Sequence, residues 1–271
     1  MFSLYSTLYL INKNRFPFLH HLKNFSEFVG QDGEVVIGTN EEGIQDGTLD
    51  VLREYITKNN LSNVYTNVSY QIKFSSNRFD GDLKDFALQN TKNPIKIQMD
   101  MDEIIPLSQK EKWVKYSNWL LNNDKVQALY VPSIDLYGSS TYIRKNHNIG
   151  QKWRIHKSGL KRGVVNFAEL GNGLFDTSRS DSGELLSQSN KLVPTAQIVN
   201  PDFLKPENCH KLNDYIYTLH LGFASLDYRE SINKNWWNQK WQDRSQKQEN
   251  VITDKQILEK EEVIEHNLRL D

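Results

Sequence analysis

The apolar positions change their period several times along the first hundred residues. Ser3 to Ile11 is apolar enough for a strand at the centre of a sheet. Phe18, Leu19, Leu22, Phe25 and Phe28 then recur at helical spacing, which predicts a helix over Phe16 to Phe28 with Pro17 in its first turn. Asp32-Gly33 turns the chain into a second strand, Glu34 to Gly38, with a polar end at Thr39-Asn40-Glu41-Glu42-Gly43. A helix over Leu49 to Thr57 follows, with Thr48 or Asp46 as its N-cap. Val64 to Phe74 is expected as a third strand, Asp80-Gly81-Asp82 precedes a helix over Leu83 to Asn90, and Ile95, Ile97 and Met99 alternate with polar residues as a fourth short strand. Strand and helix in alternation predict an α/β fold with an open, mostly parallel sheet flanked by helices. Right-handed crossovers then place the strand ends along one edge, where such sheets bind ligands. Asn12, Glu41 and Asp100 are expected to gather there.

The second half is less regular. Lys110 to Asn123 is expected as a helix with Trp113 and Leu120 on one side, and Gln127 to Leu136 as a strand. Thr141 to His156 is basic and aromatic, with Tyr142, Arg144, Lys145, His147, Lys152, Trp153, Arg154 and His156. Its first reading is a half-exposed strand pair with snorkelling cations. Single-stranded nucleic acid and a wall of an acceptor site are the other two. Gly171 to Asn190, rich in Gly, Ser, Asn and Asp, has the composition of a mobile loop or lid. Asp214 to Arg229 alternates as a strand that carries His220. Trp236, Trp237 and Trp241 form an aromatic cluster that packs on the body or stacks a sugar. Thr253 to Leu268 is expected as a helix whose narrow apolar stripe packs on the body or joins two chains as a homodimer.

The candidate chemistry sits where the fourth strand runs into Asp100-Met101-Asp102-Glu103. In extended chain Asp100 and Asp102 point the same way. Two neighbouring carboxylates raise each other's pKa unless a cation lies between them, and Mg²⁺ or Mn²⁺ suits carboxylate oxygen and phosphate together. Composition narrows the picture. Lys+Arg 33 against Asp+Glu 34 gives a net charge of -1, so no global field draws the chain to nucleic acid or an anionic membrane. One cysteine, Cys209, allows no intramolecular disulfide and fits a reducing, cytoplasmic setting. Met1 to Ile11 lacks a basic n-region and is read as a strand rather than a signal peptide. No apolar run approaches the ~20 residues of a membrane span.

Gly33-Glu-Val-Val-Ile followed by Asp46-Gly47-Thr48-Leu-Asp-Val-Leu-Arg-Glu-Tyr55 resembles the second strand and helix of GT-A glycosyltransferases, family 2 in particular. Lys84-Asp85-Phe-Ala-Leu-Gln-Asn90, then a strand ending Gln98-Met-Asp-Met-Asp-Glu103, is similar to that family's helix and acidic metal motif. The resemblance covers about residues 3 to 105. One departure stands at the second strand's end, where the family carries Asp and this chain has Thr39-Asn40-Glu41.

The resemblance implies a metal-dependent glycosyltransferase with a nucleotide-sugar donor, UDP-linked being commonest. Asp102 and His220 would hold Mn²⁺ or Mg²⁺, and Asp100 would touch the ion or the ribose. Lys84 would face the phosphates, and Asn12, Asn40, Glu41 and Asp46 would line the nucleotide. Asp181, Glu169 and Asp176 are the candidates for the base that deprotonates the acceptor, a hydroxyl on a glycan, lipid-linked molecule, protein or modified nucleotide. It also implies a division into a glycosyltransferase domain over 1–240, with donor half 1–105 and acceptor half 106–240, and a linker and helix over 241–271. The rivals are a nucleotidyltransferase acting on sugar phosphates and a binding module with a decayed site. As a lone His on a strand, His220 is equally open to a structural role.

Overall fold

The computed structural model describes residues 2–8, 19–45, 47–73, 79–124, 126–140, 142–144, 150–163, 184–186, 195–197, 205–206, 212–221 and 263–265. Asn12, Asp46, Glu169, Asp176, Asp181, Cys209 and the tryptophans at 236, 237 and 241 lie outside them. The elements are β1 (Phe2–Thr7), α1 (Leu19–Val29), β2 (Glu34–Asn40), α2 (Glu41–Gln45), α3 (Thr48–Lys58), β3 (Val64–Ser69), α4 (Phe79–Gln89), β4 (Ile95–Gln98), β5 (Glu103–Ile104), α5 (Lys110–Leu121), β6 (Ala128–Asp135), β7 (Tyr142–Arg144), β8 (Gly150–Lys157), β9 (Lys161–Gly163), β10 (Glu184–Leu186), β11 (Thr195–Gln197), β12 (Thr218–His220) and β13 (Val263–Glu265).

One mixed sheet organises them, in the order β3-β2-β1-β4-β8-β6-β12-β5. The first four strands are parallel, as the alternation of strand and helix requires. β8 then runs antiparallel to both β4 and β6, while β12 is parallel to β6 and antiparallel to β5. β11 pairs with the opening residues of β6, so β11 and β12 share that strand's second edge. Among the described residues no helix is long and apolar enough to cross a membrane.

Side-chain alternation explains why β1 and β2 are covered on both faces. Leu4, Val35 and Ile37 join Leu22, Phe25 and Phe28 of α1 and Leu49 and Leu52 of α3 in the main core. Tyr5 and Val36 point the other way and pack with Ala87 and Leu88 of α4. Gly38 lies on that second face, and a Cβ there would stand 2.9 Å from the Cβ of Ala87, so glycine lets α4 approach the strand closely.

Several expectations need correction. Helix α3 begins after Gly47, which has φ 78, and no side chain caps it. Glycine reaches this left-handed conformation without the Cβ cost that Asp or Thr would meet. Thr141 to His156 does not fold back on itself as a strand pair. β7 pairs with β13, and β8 enters the main sheet. Arg154 and His156 are consequently buried rather than snorkelling. Residues 263–265 are a strand, not part of a helix, because β-branched Val263 and Ile264 complete the edge of β7. The rest of the stretch expected as a helix, 253–262 and 266–268, lies outside the described residues. Within the stretch expected as a loop, Glu184–Leu186 pairs antiparallel with Lys161–Gly163. Among the described residues the strand around His220 is Thr218–His220, residues 212–214 before it form a helical turn, and 222–229 lie outside the described residues.

Candidate active site

β4 ends at Gln98, and the acidic motif that follows is a turn rather than extended chain. The Glu103 amide donates to the Asp100 carbonyl at 3.0 Å, and the Asp100 amide donates to Glu103 Oε2 at 2.9 Å. His21 Nδ1 donates to the Met101 carbonyl at 2.9 Å and holds the turn's apex from α1. Asp100 and Asp102 therefore diverge, contrary to the parallel orientation that an extended strand predicts. A turn satisfies the backbone groups that β4 abandons, and it gives each carboxylate a different partner set.

Asp100 faces cations. Its Oδ1 accepts from Gln98 Nε2 at 2.9 Å and stands 3.7 Å from Lys84 Nζ, while Oδ2 lies 3.2 Å from Lys152 Nζ and 3.9 Å from Arg154. Burial pushes the Asp100 pKa up, but Lys84, Lys152 and Arg154 outweigh that and hold it well below the usual carboxylate range. Glu103 is fully buried and accepts from Lys152 Nζ at 2.8 Å, from Ser133 Oγ at 3.0 Å and from the Arg154 guanidinium. Arg154, also fully buried, bonds the Gln98 side-chain oxygen and donates to the Gln98 carbonyl at 3.2 Å. The Lys152 pKa is raised, because Glu103 and Asp100 together overcome the opposing effect of burial. Three cations thus surround two carboxylates, and Lys152 keeps 39% of its side chain exposed. The partly exposed Lys152 is the cation of this cluster that an anion in the cleft could reach.

Asp102 faces His220. Nε2 of His220 lies 2.9 Å from Asp102 Oδ2, and Nδ1 lies 2.7 Å from Asp135 Oδ1. Both carboxylates accept, so with neither acid protonated the ring carries two protons. Burial pushes the imidazole pKa down, but Asp102 and Asp135 reverse that and push it up to about 10. Burial likewise raises the Asp102 carboxyl, and His220 overcomes this and lowers it. The sequence missed Asp135, Lys152 and Arg154. The signal for Asp135 was its place at the carboxyl end of a strand, and Lys152 and Arg154 stood out only as members of a basic stretch.

The remaining predicted residues are more distant or engaged elsewhere. Asn40, at the end of β2, donates to the Ile72 carbonyl at 3.2 Å and pins the segment after β3. Glu41 pairs with Lys73 at 3.2 Å on the surface. Both share the carboxyl edge with Asp100, but two strand spacings of about 5 Å each separate β2 from β4. Lys84 with Asp100, and Asp102 with His220, are the predicted pairs that the fold brings together.

The Asp102 oxygen, with His220 Nε2 once it gives up its proton, is a donor set that Mn²⁺ accepts, while Mg²⁺ would lean on oxygen alone. Among the described residues no group of three or more His, Cys, Asp or Glu side chains could hold an ion. Two protein ligands fit a site that takes its other oxygens from a diphosphate and water, as Mg²⁺ commonly does.

No family model and no curated protein matches the sequence. Solved structures do match. A mannosyltransferase from Pyrobaculum calidifontis in complex with GDP-Man and Mn²⁺ is similar at 16% identity and a TM-score of 0.37, over 48% of this chain and 34% of that one. The S. aureus protein TarS, residues 1-349 in complex with UDP, is similar at 12% identity and a TM-score of 0.39, over 90% of this chain and 75% of that one. HddC from Yersinia pseudotuberculosis is similar at 13% identity and a TM-score of 0.41, over 86% and 99%. The matched part thus spans about a third of the mannosyltransferase. With identities and scores this low, none of them assigns an activity to this chain.

Proposed function

We propose that this chain is a glycosyltransferase that takes a nucleotide-sugar donor, UDP-linked, with Mn²⁺ or Mg²⁺, and passes the sugar to an acceptor hydroxyl. The observation that carries the reading is the split acidic turn at the carboxyl edge of the sheet. One carboxylate, Asp102, meets His220 at 2.9 Å, and the other, Asp100, gathers Lys84, Lys152 and Arg154. A metal-assisted side and a cationic side are then adjacent, which is what a departing diphosphate requires.

Asp102 and His220 would hold the ion, and Asp100 would serve as the anchor of the cations rather than as a ligand. The ion supplies Lewis acidity and neutralises charge on the diphosphate. Lys84 and Lys152 bind phosphate oxygens as point charges, and Glu103 and Asp100 keep the Lys152 ammonium protonated. Arg154 stays in place and sets the turn's shape through Glu103. Asn40 and Glu41, on the same carboxyl edge, would line the nucleotide, and the resemblance assigns Asn12 and Asp46 the same role. The acceptor proton goes to Asp181, Glu169 or Asp176, and a closing segment at 171–190 would keep water from the donor.

The test is incubation of the full chain with UDP-sugars and Mn²⁺, with nucleoside diphosphate release followed with and without EDTA. Metal-dependent release of UDP from at least one donor is expected. Absence of UDP binding at millimolar concentration refutes the reading. Pyrophosphate release from UTP and a sugar phosphate would replace it with nucleotidyl transfer.

A further inference from the structure

We propose that Asp135 is a positioning residue of the metal site, the carboxylate that fixes the ring of His220 so that Nε2 is presented toward Asp102. The inference rests on the function proposed above and goes beyond it by assigning a residue that touches neither the ion nor the donor.

The sheet itself places the two side chains. β6 and β12 run parallel, with His220 paired in register to Asp135, so both side chains leave the sheet on the same face. Their backbones are tied where the pairing ends. The Leu136 amide donates to the His220 carbonyl at 3.0 Å, and the Leu221 amide donates to the Asp102 carbonyl at 2.7 Å. The acidic turn, the end of β6 and the end of β12 are therefore one hydrogen-bonded frame. Asp135 sits on its rigid part, inside a strand, rather than on a loop.

The atoms then decide the role. Asp135 Oδ1 is 2.7 Å from Nδ1, and Asp102 Oδ2 is 2.9 Å from Nε2, on opposite sides of one ring. A ligating imidazole is neutral and carries one proton. In the metal-free ring both nitrogens carry a proton; an ion at Asp102 would displace the Nε2 proton to solvent, and Asp135, which can only accept, keeps the other on Nδ1. Without an acceptor at Nδ1, the ring can flip or place its proton on Nε2, and neither state ligates from that nitrogen. Carboxylates in this position raise the basicity of a ligating His and restrict its orientation. A direct ligand role does not fit Asp135, because the ring stands between its bonded oxygen and Asp102.

The experiment uses the full chain, as wild type, Asp135→Val, Asp135→Ala, Asp135→Asn and His220→Ala. Mn²⁺ binding in the presence of UDP is followed by the electron paramagnetic resonance signal of free Mn²⁺, with a melting curve for each variant. Val is close to Asp in size and suits a strand, so it serves if Ala does not fold. Ala and Val should raise the Mn²⁺ Kd by roughly 10- to 100-fold. Asn, whose carbonyl oxygen still accepts from Nδ1–H, should recover most of the loss. With Mg²⁺ and UDP bound, the ¹⁵N spectrum of the His220 ring should place the proton on Nδ1 in wild type and lose that preference in the Val variant. An unshifted Mn²⁺ Kd in Ala and Val overturns the inference, and a lowered melting temperature with that unshifted Kd identifies a structural ion pair in its place. An unshifted Kd in His220→Ala overturns it too, by placing the ion elsewhere. If wild type binds no Mn²⁺ with UDP present, the functional reading fails and the inference falls with it.

Discussion

Replacing Arg154 with methionine keeps an aliphatic stem and removes a fully buried guanidinium from between Gln98, Asp100 and Glu103. Breaking a buried pair by removing one partner costs about 3–5 kcal/mol, because the other charge stays behind. Glu103 is not left alone here. It retains the Asp100 amide at 2.9 Å, Ser133 Oγ at 3.0 Å and Lys152 Nζ at 2.8 Å. Lys152 is 39% exposed, so solvent screens part of its compensation. These partners place the expected loss at the lower end, about 3 kcal/mol. At roughly 2–4 °C per kcal/mol for a chain of this size, the melting temperature should fall by about 6–12 °C. The assay is thermal unfolding by circular dichroism of wild type, Arg154→Met, Glu103→Gln and the double variant. Since the two residues touch, the double variant should lose less than the two single losses added together. A drop of less than about 1 kcal/mol in Arg154→Met, or strict additivity, would refute the view that this pair holds the acidic turn.

Four further outcomes follow from the same geometry. His220→Ala should reduce metal-dependent turnover by at least about 10-fold while shifting its Mn²⁺ dependence, and a loss of stability with unshifted Mn²⁺ dependence would point to a structural imidazole instead. The His220 pKa is raised from 6.5 to about 10, so its contribution to stability is fully present below pH 6.5 and is lost as pH rises through 10. In EDTA, the stability gap between wild type and His220→Gln should accordingly narrow from pH 7 to pH 10; a constant gap counts against the Asp102–His220–Asp135 pairing. Lys152→Met should weaken UDP binding by about 10- to 100-fold at low salt, the size of one hydrogen bond to a charged group, and calorimetry showing no change would remove Lys152 from the donor site. Gly38→Ala should cost about 1–3 kcal/mol through the 2.9 Å contact with Ala87, and an unchanged melting temperature would show that α4 shifts away freely.

The sequence was most readable where one physical signal acted alone. Apolar period found β1, β2, β4, α1 and α5 to within a few residues, because each buries a face regularly enough to show in its own segment. The link from Asp102 to His220 was legible through resemblance, although 118 residues separate them. The opposite directions of Asp100 and Asp102 were not legible. They depend on Arg154 and Lys152, 51 and 49 residues beyond Glu103, and nothing in the local alternation of β4 announces a turn. Arg154 read as an exposed cation since buried arginines are rare and its partners lie on another strand. Asp135 passed unremarked within the strand expected over Gln127 to Leu136, because its partner His220 lies 85 residues away on another strand. Val263–Glu265 was misread as helix because its charged surroundings resemble a surface helix, while its pairing with β7 is a tertiary effect.

The position of β8 between β4 and β6 bears on how the molecule is made. While the chain is still emerging, β1 to β4 can assemble as a parallel sheet, but β4 then presents a bare edge until residues 150–157 arrive. An edge of that kind is a template for pairing with any other strand nearby. The acidic turn is meanwhile without Lys152 and Arg154, and Lys84 is the one cation of the cluster already made. Synthesis therefore passes through an interval of sixty residues or so in which the nascent protein is both sticky and incapable of chemistry. The vulnerability this topology builds in lies in the order of synthesis, when an unpaired β4 edge is open to mispairing.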